Sequence, residues 1–214
     1  MRFYAIALRM HKLLEIFSAF GYNQLVITIY ILPFSVCHVK TGEFMIILGI
    51  DPGVATVGFG IISETGGIPK PVRYGVISTP AGQRLALRLL RIHADVSELI
   101  AAFSPDAIAI EELFFNTNLK TAISVSHGRA AVILAGEQHG VPMFEYTPLQ
   151  VKKAVGGHGR AEKNQVMDMV KRLLLLDHIP QPDDAADALA IAICHARFVN
   201  SLIGIKGGET CSTI

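Results

Sequence analysis

The chain has 214 residues, of which 51% are apolar and only 17% charged, with 19 Lys and Arg against 18 Asp and Glu. That length suits one domain, or one domain with an appendage, and the apolar content excludes intrinsic disorder. The formal net charge of +1 excludes both a histone-like basic protein and an acidic tail protein, so any nucleic-acid binding must come from locally placed charge. Three scattered cysteines (Cys37, Cys194, Cys211) offer neither a disulfide framework nor a zinc cluster, and point to a reducing, cytoplasmic compartment.

Residues 1–44 differ from the rest. They hold 27 apolar residues and 8 of the 16 aromatics. The longest apolar run, Leu25–Cys37, is broken by Thr28, Pro33 and Ser35, and its 13 residues fall short of the ~20 a membrane helix needs. Arg2, Arg9 and Lys12 lie too far upstream of it for a signal peptide, and no small-residue cleavage site follows. Residues 1–44 are expected to be an upstream extension, with Met45 as the natural start. A membrane-associating anchor and an extra packed element are the other readings.

From Met45 the pattern is α/β. Ile46–Asp51 is an apolar run closed by Asp-Pro-Gly, which places Asp51 at an extended strand end. Val57–Ser63 and Val72–Thr79 read as two more strands, separated by Gly66-Gly67 and Pro69-Lys70-Pro71, so the first three strands form an antiparallel meander. Gln83–Phe103 has helical spacing through Leu85, Leu89, Ile92, Val96, Leu99 and Phe103. Ala107–Glu111 is a short buried strand, Leu119–His139 an Ala-rich helix and Val141–Thr147 a fifth strand. Helices follow at Leu149–Val155, Ala161–Leu176 and Asp183–Val199. Residues 201–214 are expected to form a flexible tail.

Four carboxylates fall at element ends inside this apolar sequence. Asp51 ends the first strand and Glu111 the fourth, and strands ending at one sheet edge bring such groups together. Asp184 and Asp187, three apart at a helix start, share one face. Asp183 and Asp187, four apart, do so equally. Taken singly, each acid has a plainer role: Asp51 as a turn residue, Glu111 and Glu112 as solvated charges, the aspartates as helix caps. Taken together they conflict. A like-charged pair at ~4 Å repels by about 4 kcal/mol at an effective dielectric near 20. A helix N-terminus returns only ~0.3–1 kcal/mol per acid. Divalent cations remove the conflict, and oxygen-only ligands select Mg²⁺ or Mn²⁺ over zinc. Two such ions ~3.5–4 Å apart would activate water and stabilise the leaving oxygen of a phosphodiester.

Positive charge is concentrated nearby. Between Leu149 and Arg172 stand Lys152, Lys153, Arg160, Lys163, Lys171 and Arg172, against Glu162 and Asp168. Beside a carboxylate cluster this favours phosphate contacts over a merely solvated helix face. Phe114 and Phe115 lie in an expected loop with Asn116-Thr117-Asn118; such aromatics cap a core or, exposed, stack on unpaired bases. Other chemistries fare poorly. Cys194 and His195 are adjacent on a helix and diverge by about 100°, the eight histidines lack metal-ligand spacing, and no Walker A or strand-linked GxGxxG sequence occurs. The residues alone reach a two-metal phosphodiesterase acting on nucleic acid.

Five segments, in order over residues 45–200, resemble the RuvC family of Holliday-junction resolvases: Gly49-Ile50-Asp51-Pro52-Gly53, Ala109-Ile110-Glu111, Phe144-Glu145-Tyr146, Ala161-Glu162-Lys163 and Asp184-Ala185-Ala186-Asp187-Ala188-Leu189-Ala190. The resemblance implies an RNase H-like fold, a five-stranded mixed sheet flanked by helices. It implies a cytoplasmic homodimer that cuts four-way DNA junctions with two Mg²⁺ ions per site during recombination and repair, alongside a branch-migration helicase and with no membrane partner. It further implies that Asp51, Glu111, Asp184 and Asp187 are the catalytic metal-binding carboxylates, which favours Asp184 over Asp183. Lys152 or Lys153, and Lys163, match backbone-contacting positions, with Arg160 a weaker candidate, and Phe114 matches an aromatic that stacks at the opened junction. Two rivals stand against it: a junction-binding module without catalysis, and an actin-like ATPase or kinase half-domain, which needs a second comparable domain.

Overall fold

A computed structural model describes residues 44–112 and 119–204. Residues 1–43, the body of the expected upstream extension, and 205–214 lie outside the described residues. Five strands form one mixed sheet in the order β3-β2-β1-β4-β5. They are β1 (Met45–Asp51), β2 (Thr56–Thr65), β3 (Ile68–Ser78), β4 (Ala107–Glu111) and β5 (Met143–Tyr146). The meander is as expected: β1–β2 and β2–β3 are antiparallel, while β4 runs parallel to β1 and β5 parallel to β4. Helices α1 (Leu85–Phe103), α2 (Leu119–Gln138), α3 (Pro148–Gly156), α4 (Lys163–Leu173) and α5 (Asp183–Gly204) complete the domain.

Two expectations are corrected. Pro69-Lys70-Pro71 does not separate strands but lies within β3, opposite Glu64, Ser63 and Ile62. β3 is an edge strand, where a missing N–H on the outer side costs no ladder bond. Helix α5 also continues to Gly204, four residues into the segment expected as a tail.

Side-chain alternation divides the sheet into two faces. Leu48 and Ile50 of β1, Val57, Phe59 and Ile61 of β2, and Ile108 and Ile110 of β4 join Ile92, Val96 and Ile100 of α1 and Val132 and Ala135 of α2 in one apolar core. The opposite face carries Ile47, Gly49 and Asp51 on β1 and Ala107, Ala109 and Glu111 on β4. Helix α5 lies on that second face. A Cβ on Gly49 would sit 2.1 Å from the Ala188 carbonyl oxygen, one on Gly58 2.0 Å from that of Asp184, and one on Gly60 2.7 Å from the Leu189 nitrogen. The three glycines thus form a flat seat on β1 and β2 that the backbone of α5 touches directly.

Candidate active site

Strand pairing brings the first two carboxylates together. In the parallel β1–β4 register Ile50 is paired with Ile110, so Asp51 and Glu111 follow side by side at the same sheet edge. Both lie on the face that carries α5, and the glycine seat lowers the first turn of α5 onto that edge. Asp51, Glu111 and Asp187 consequently line one cavity of about 220 Å³, together with Lys152 of α3 and Lys163 of α4.

The lysines are placed by helix starts. Helix α3 begins at a Thr147 cap: the Gln150 N–H donates to Thr147 Oγ1 at 3.1 Å, and Gln150 Oε1 accepts from the Thr147 N–H at 2.7 Å. Pro148 stands at the first helical turn, where its missing N–H costs nothing. Helix α4 starts similarly, with Gln165 Oε1 accepting from the Glu162 N–H at 3.1 Å, which fixes Lys163 as its first residue. From there the Lys163 ammonium reaches Asp187 at 3.1 Å and Asp183 at 3.4 Å.

The electrostatics carry the mark of crowded acids. Burial, then the charges of Glu111, Asp187 and Asp184, push the Asp51 carboxyl up to about 7, with Lys163 opposing. Burial and Asp187 raise Glu111 while Lys152 opposes. Asp187 is raised by burial and by Asp183 and Asp184, against the hydrogen bond and charge of Lys163. Burial works to lower the Lys163 ammonium, but its bonds to Asp187 and Asp183 outweigh that and leave it raised.

Asp184 lies outside the lining of the cavity, although its charge is felt by both Asp51 and Asp187. Asp183 is held by Lys163. The basic residues divide. Lys152 lines the carboxylate cavity; Lys153 lines a second groove on the other side of α3; Arg160 is exposed in the turn after α3 and lines neither. Phe114 and Phe115 lie outside the described residues. Cys194 and His195 take no part. Burial pushes the Cys194 thiol up to about 12 and the His195 ring down to about 4, so neither is charged near neutrality. His195 is enclosed against Phe144 and hydrogen-bonded through Nδ1 to the Tyr146 hydroxyl at 2.7 Å, a core histidine.

Arg129 of α2 is a further member that the sequence reading passed over. It is buried, donates from Nη1 to the Glu111 carbonyl at 3.3 Å, and forms an ion pair with Glu145 of β5. It therefore ties the end of β4 to its neighbouring strand beneath the catalytic candidate Glu111. Its only trace in the sequence is a lone charge in the small-residue stretch Gly128-Arg129-Ala130-Ala131.

The donor set suits a hard divalent cation: carboxylate oxygens, with no thiolate or imidazole among the described residues of the lining, carrying excess negative charge at a partly buried edge. Among the described residues no group of three or more Asp, Glu, His or Cys has the spacing of a preformed metal cage. The residues fit such an ion by donor type and charge, and Asp187 is engaged by the Lys163 ammonium.

The family model for Crossover junction endodeoxyribonuclease RuvC matches residues 47–195, a span that contains the strand ends, both lysines and the start of α5. The chain belongs to the RuvC family. The RuvC of Alkaliphilus metalliredigens is 55% identical over 164 residues, 76% of this chain and 100% of that protein. That of Alkaliphilus oremlandii is 53% identical over 156 residues, 73% of this chain and 95% of its relative. Among solved structures, T. thermophilus RuvC in complex with Holliday junction substrate superposes with a TM-score of 0.70 at 38% identity, covering 73% of this chain and 96% of that one. The mixed sheet and its flanking helices are accordingly the RNase H-like fold of RuvC resolvases. Among the described residues no helix is long and apolar enough to cross a membrane.

Proposed function

We propose that this chain is a RuvC-type endonuclease that resolves four-way DNA junctions by metal-assisted phosphodiester hydrolysis, with Asp51, Glu111, Asp184 and Asp187 as its catalytic carboxylates. The observation that carries this reading is the meeting of Asp51, Glu111 and Asp187 around one cavity, where burial and then mutual repulsion push the Asp51 carboxyl up to about 7. Bound Mg²⁺ or Mn²⁺, two ions per site, would activate the attacking water and stabilise the leaving oxygen. The three carboxylates that line the cavity would hold the ions, and Asp184 adds charge at the start of α5. Lys152 and Lys163 face the phosphate from α3 and α4 and offset the charge it gains in the transition state.

Lys153 and Arg160 extend the positive surface beyond the cavity and hold the DNA backbone, and Phe114 stacks on a base at the opened junction. The nuclease domain spans residues 45–200, a reading supported by the family match at residues 47–195. Homodimerisation is supported by Ile123 and Leu134 of α2, both exposed. Eleven residues apart, they lie on one helix face at 100° per residue, and a two-fold pair of sites suits a junction with two symmetry-related strands. A cytoplasmic setting and a branch-migration helicase partner complete the proposal.

The test is incubation of the protein with a synthetic four-way junction and a linear duplex of the same sequence, with Mg²⁺ and with chelator. Paired nicks in the junction that need Mg²⁺ are expected. An intact junction, or equal cutting of the linear duplex, overturns the reading.

A further inference from the structure

Helix α3 stands between two cavities. Pro148, Val151 and Lys152 face the carboxylates, while Gln150, Lys153 and Ala154 face a groove of about 470 Å³ against α5. At 100° per residue these two triplets point in opposite directions. The groove is open and larger than the carboxylate cavity. Its far wall is α5, which contributes Arg197, Phe198 and Cys194, and Tyr146 lies at its base. Lys153 and Arg197 are both exposed, and among the described residues no acidic side chain lines the groove. Arg197 also donates to the Ala154 carbonyl, which holds the guanidinium over the groove rather than in free solvent. Phe198 is half-buried and stands edge-to-face with Tyr146, with ring centroids 5.9 Å apart. Two cations beside an aromatic wall, without a counter-charge among the described residues, form a site for an anion that carries a flat apolar group.

We propose that this groove binds the backbone of the DNA substrate, with Lys153 and Arg197 each holding a phosphate of a strand that passes over α3 from the carboxylate cavity. The proposal rests on the nuclease reading above and extends it. Continuity favours DNA over a free nucleotide, because the same short helix supplies Lys152 to the cavity and Lys153 to the groove, and its diameter of about 10–12 Å with side chains is all that separates them. The groove makes α3 a saddle that the strand crosses, and gives the enzyme a grip on the substrate away from the bond being cut.

The test is binding of the full chain to fluorescent four-way and linear DNA in chelator, read by anisotropy over a range of salt concentrations, for wild type, Arg197→Lys and Lys153→Gln/Arg197→Gln. Each lost phosphate contact lowers the slope of log K against log salt by about 0.9. The double variant is expected to lose about two units of slope and about 60-fold in affinity near 0.1 M salt, on both DNA forms. Arg197→Lys keeps the charge and is expected to keep the slope. Equal slopes for wild type and double variant overturn the proposal. So does a slope lost equally in Arg197→Lys, or in a double variant whose thermal midpoint has fallen, since either assigns the effect to the Ala154 contact or to folding. An unchanged slope with thermal protection by dAMP that requires Arg197 assigns the groove to a free nucleotide and also overturns it. The resolvase reading fails separately, if wild type shows no preference for the junction while the slope difference persists on linear DNA.

Discussion

The Cα of Gly58 lies directly beneath the carbonyl of Asp184: a Cβ added there would meet that oxygen at 2.0 Å and the Asp184 Cβ at 3.1 Å. No side-chain rotation relieves a clash between backbones, so Gly58→Ala must push the first turn of α5 off the sheet edge. Overpacking of this kind costs ~1–3 kcal/mol, and the same shift moves Asp184 and Asp187 away from Asp51. The expected result is a lowered thermal midpoint together with loss of junction cleavage. Gly82→Ala, which adds a Cβ with nothing within 4 Å, is the control and should change neither.

That relationship marks the limit of what the sequence made legible. The carboxylate-bearing ends of β1 and β4 were readable because buried strands are short, apolar runs whose last residue stands out when it is charged, and the helix carrying Asp187 opened with acids and then held no Asp, Glu, Lys or Arg until Arg197. The seat was not readable. Gly58 and Gly60 sit in a β-rich run where glycine reads only as weakness, and their purpose appears once α5 is known to cross that strand. Lys152 and Lys153 were equivalent in sequence, and only the placement of α3 between two cavities separates them. Arg129 was hidden because its partners, Glu145 and the Glu111 carbonyl, come from two different strands. The prolines of β3 misled because proline in a strand is acceptable only at an edge, and edges are a property of the whole sheet.

Asp51→Asn is expected to abolish cleavage while leaving junction binding intact. The substitution keeps the shape of the side chain and removes one anionic donor from the set. Loss of a group one step removed from a metal already costs ~10–100-fold, so loss of a direct ligand should exceed a hundredfold in the single-turnover rate. Binding in chelator depends on lysine and arginine contacts with phosphates and should stay within a few-fold. A variant that binds no junction would place Asp51 in the fold rather than in the chemistry.

The crowding of acids predicts an unusual pH dependence of stability in chelator. Asp51 titrates at about 7 in the folded chain against an ordinary 3.8. Between those values the folded state keeps a proton that the unfolded state has released, so stability falls as pH rises through this window and the penalty is complete above about 7. At 1.36 kcal/mol per unit the full penalty is on the order of 4 kcal/mol. Without divalent ions, wild type should therefore melt lower at pH 8 than at pH 5.5. Asp51→Asn should melt higher than wild type at pH 8 by about 5 °C or more, and should lose most of this pH dependence. Mg²⁺ should restore wild type at pH 8 and have little effect on the variant.

Arg129 and Glu145 are expected to act as a unit. Glu145 keeps about a quarter of its side chain exposed while Arg129 is buried, and Arg129 also holds the Glu111 carbonyl. Arg129→Met strands a partly buried carboxylate, and breaking such a pair costs about 3 kcal/mol or more. Arg129→Met/Glu145→Gln removes the stranded charge and should recover much of the thermal midpoint. Cleavage should not recover with it, because the Glu111 carbonyl still lacks its donor. A double variant restored in both properties would reduce Arg129 to a structural ion pair.

Lys163 has two separable effects, and pH distinguishes them. Its ammonium lies 3.1 Å from Asp187 and lowers both Asp187 and Asp51 toward ordinary carboxylate behaviour. Lys163→Met removes that influence, so both acids should titrate higher, seen directly by carbon NMR of the labelled aspartates in chelator. The rising limb of the cleavage–pH profile should move to higher pH, whereas Lys171→Met, in the last turn of α4, should leave it in place. If Lys163 serves only to keep the acids ionised, raising the pH does the same work without it, and the variant's rate returns to that of wild type on the alkaline side. If the ammonium also meets charge on the phosphate in the transition state, the plateau stays lower by about 10²-fold at every pH. Its place at the mouth of the carboxylate cavity, fixed as the first residue of α4, leads us to expect the lower plateau.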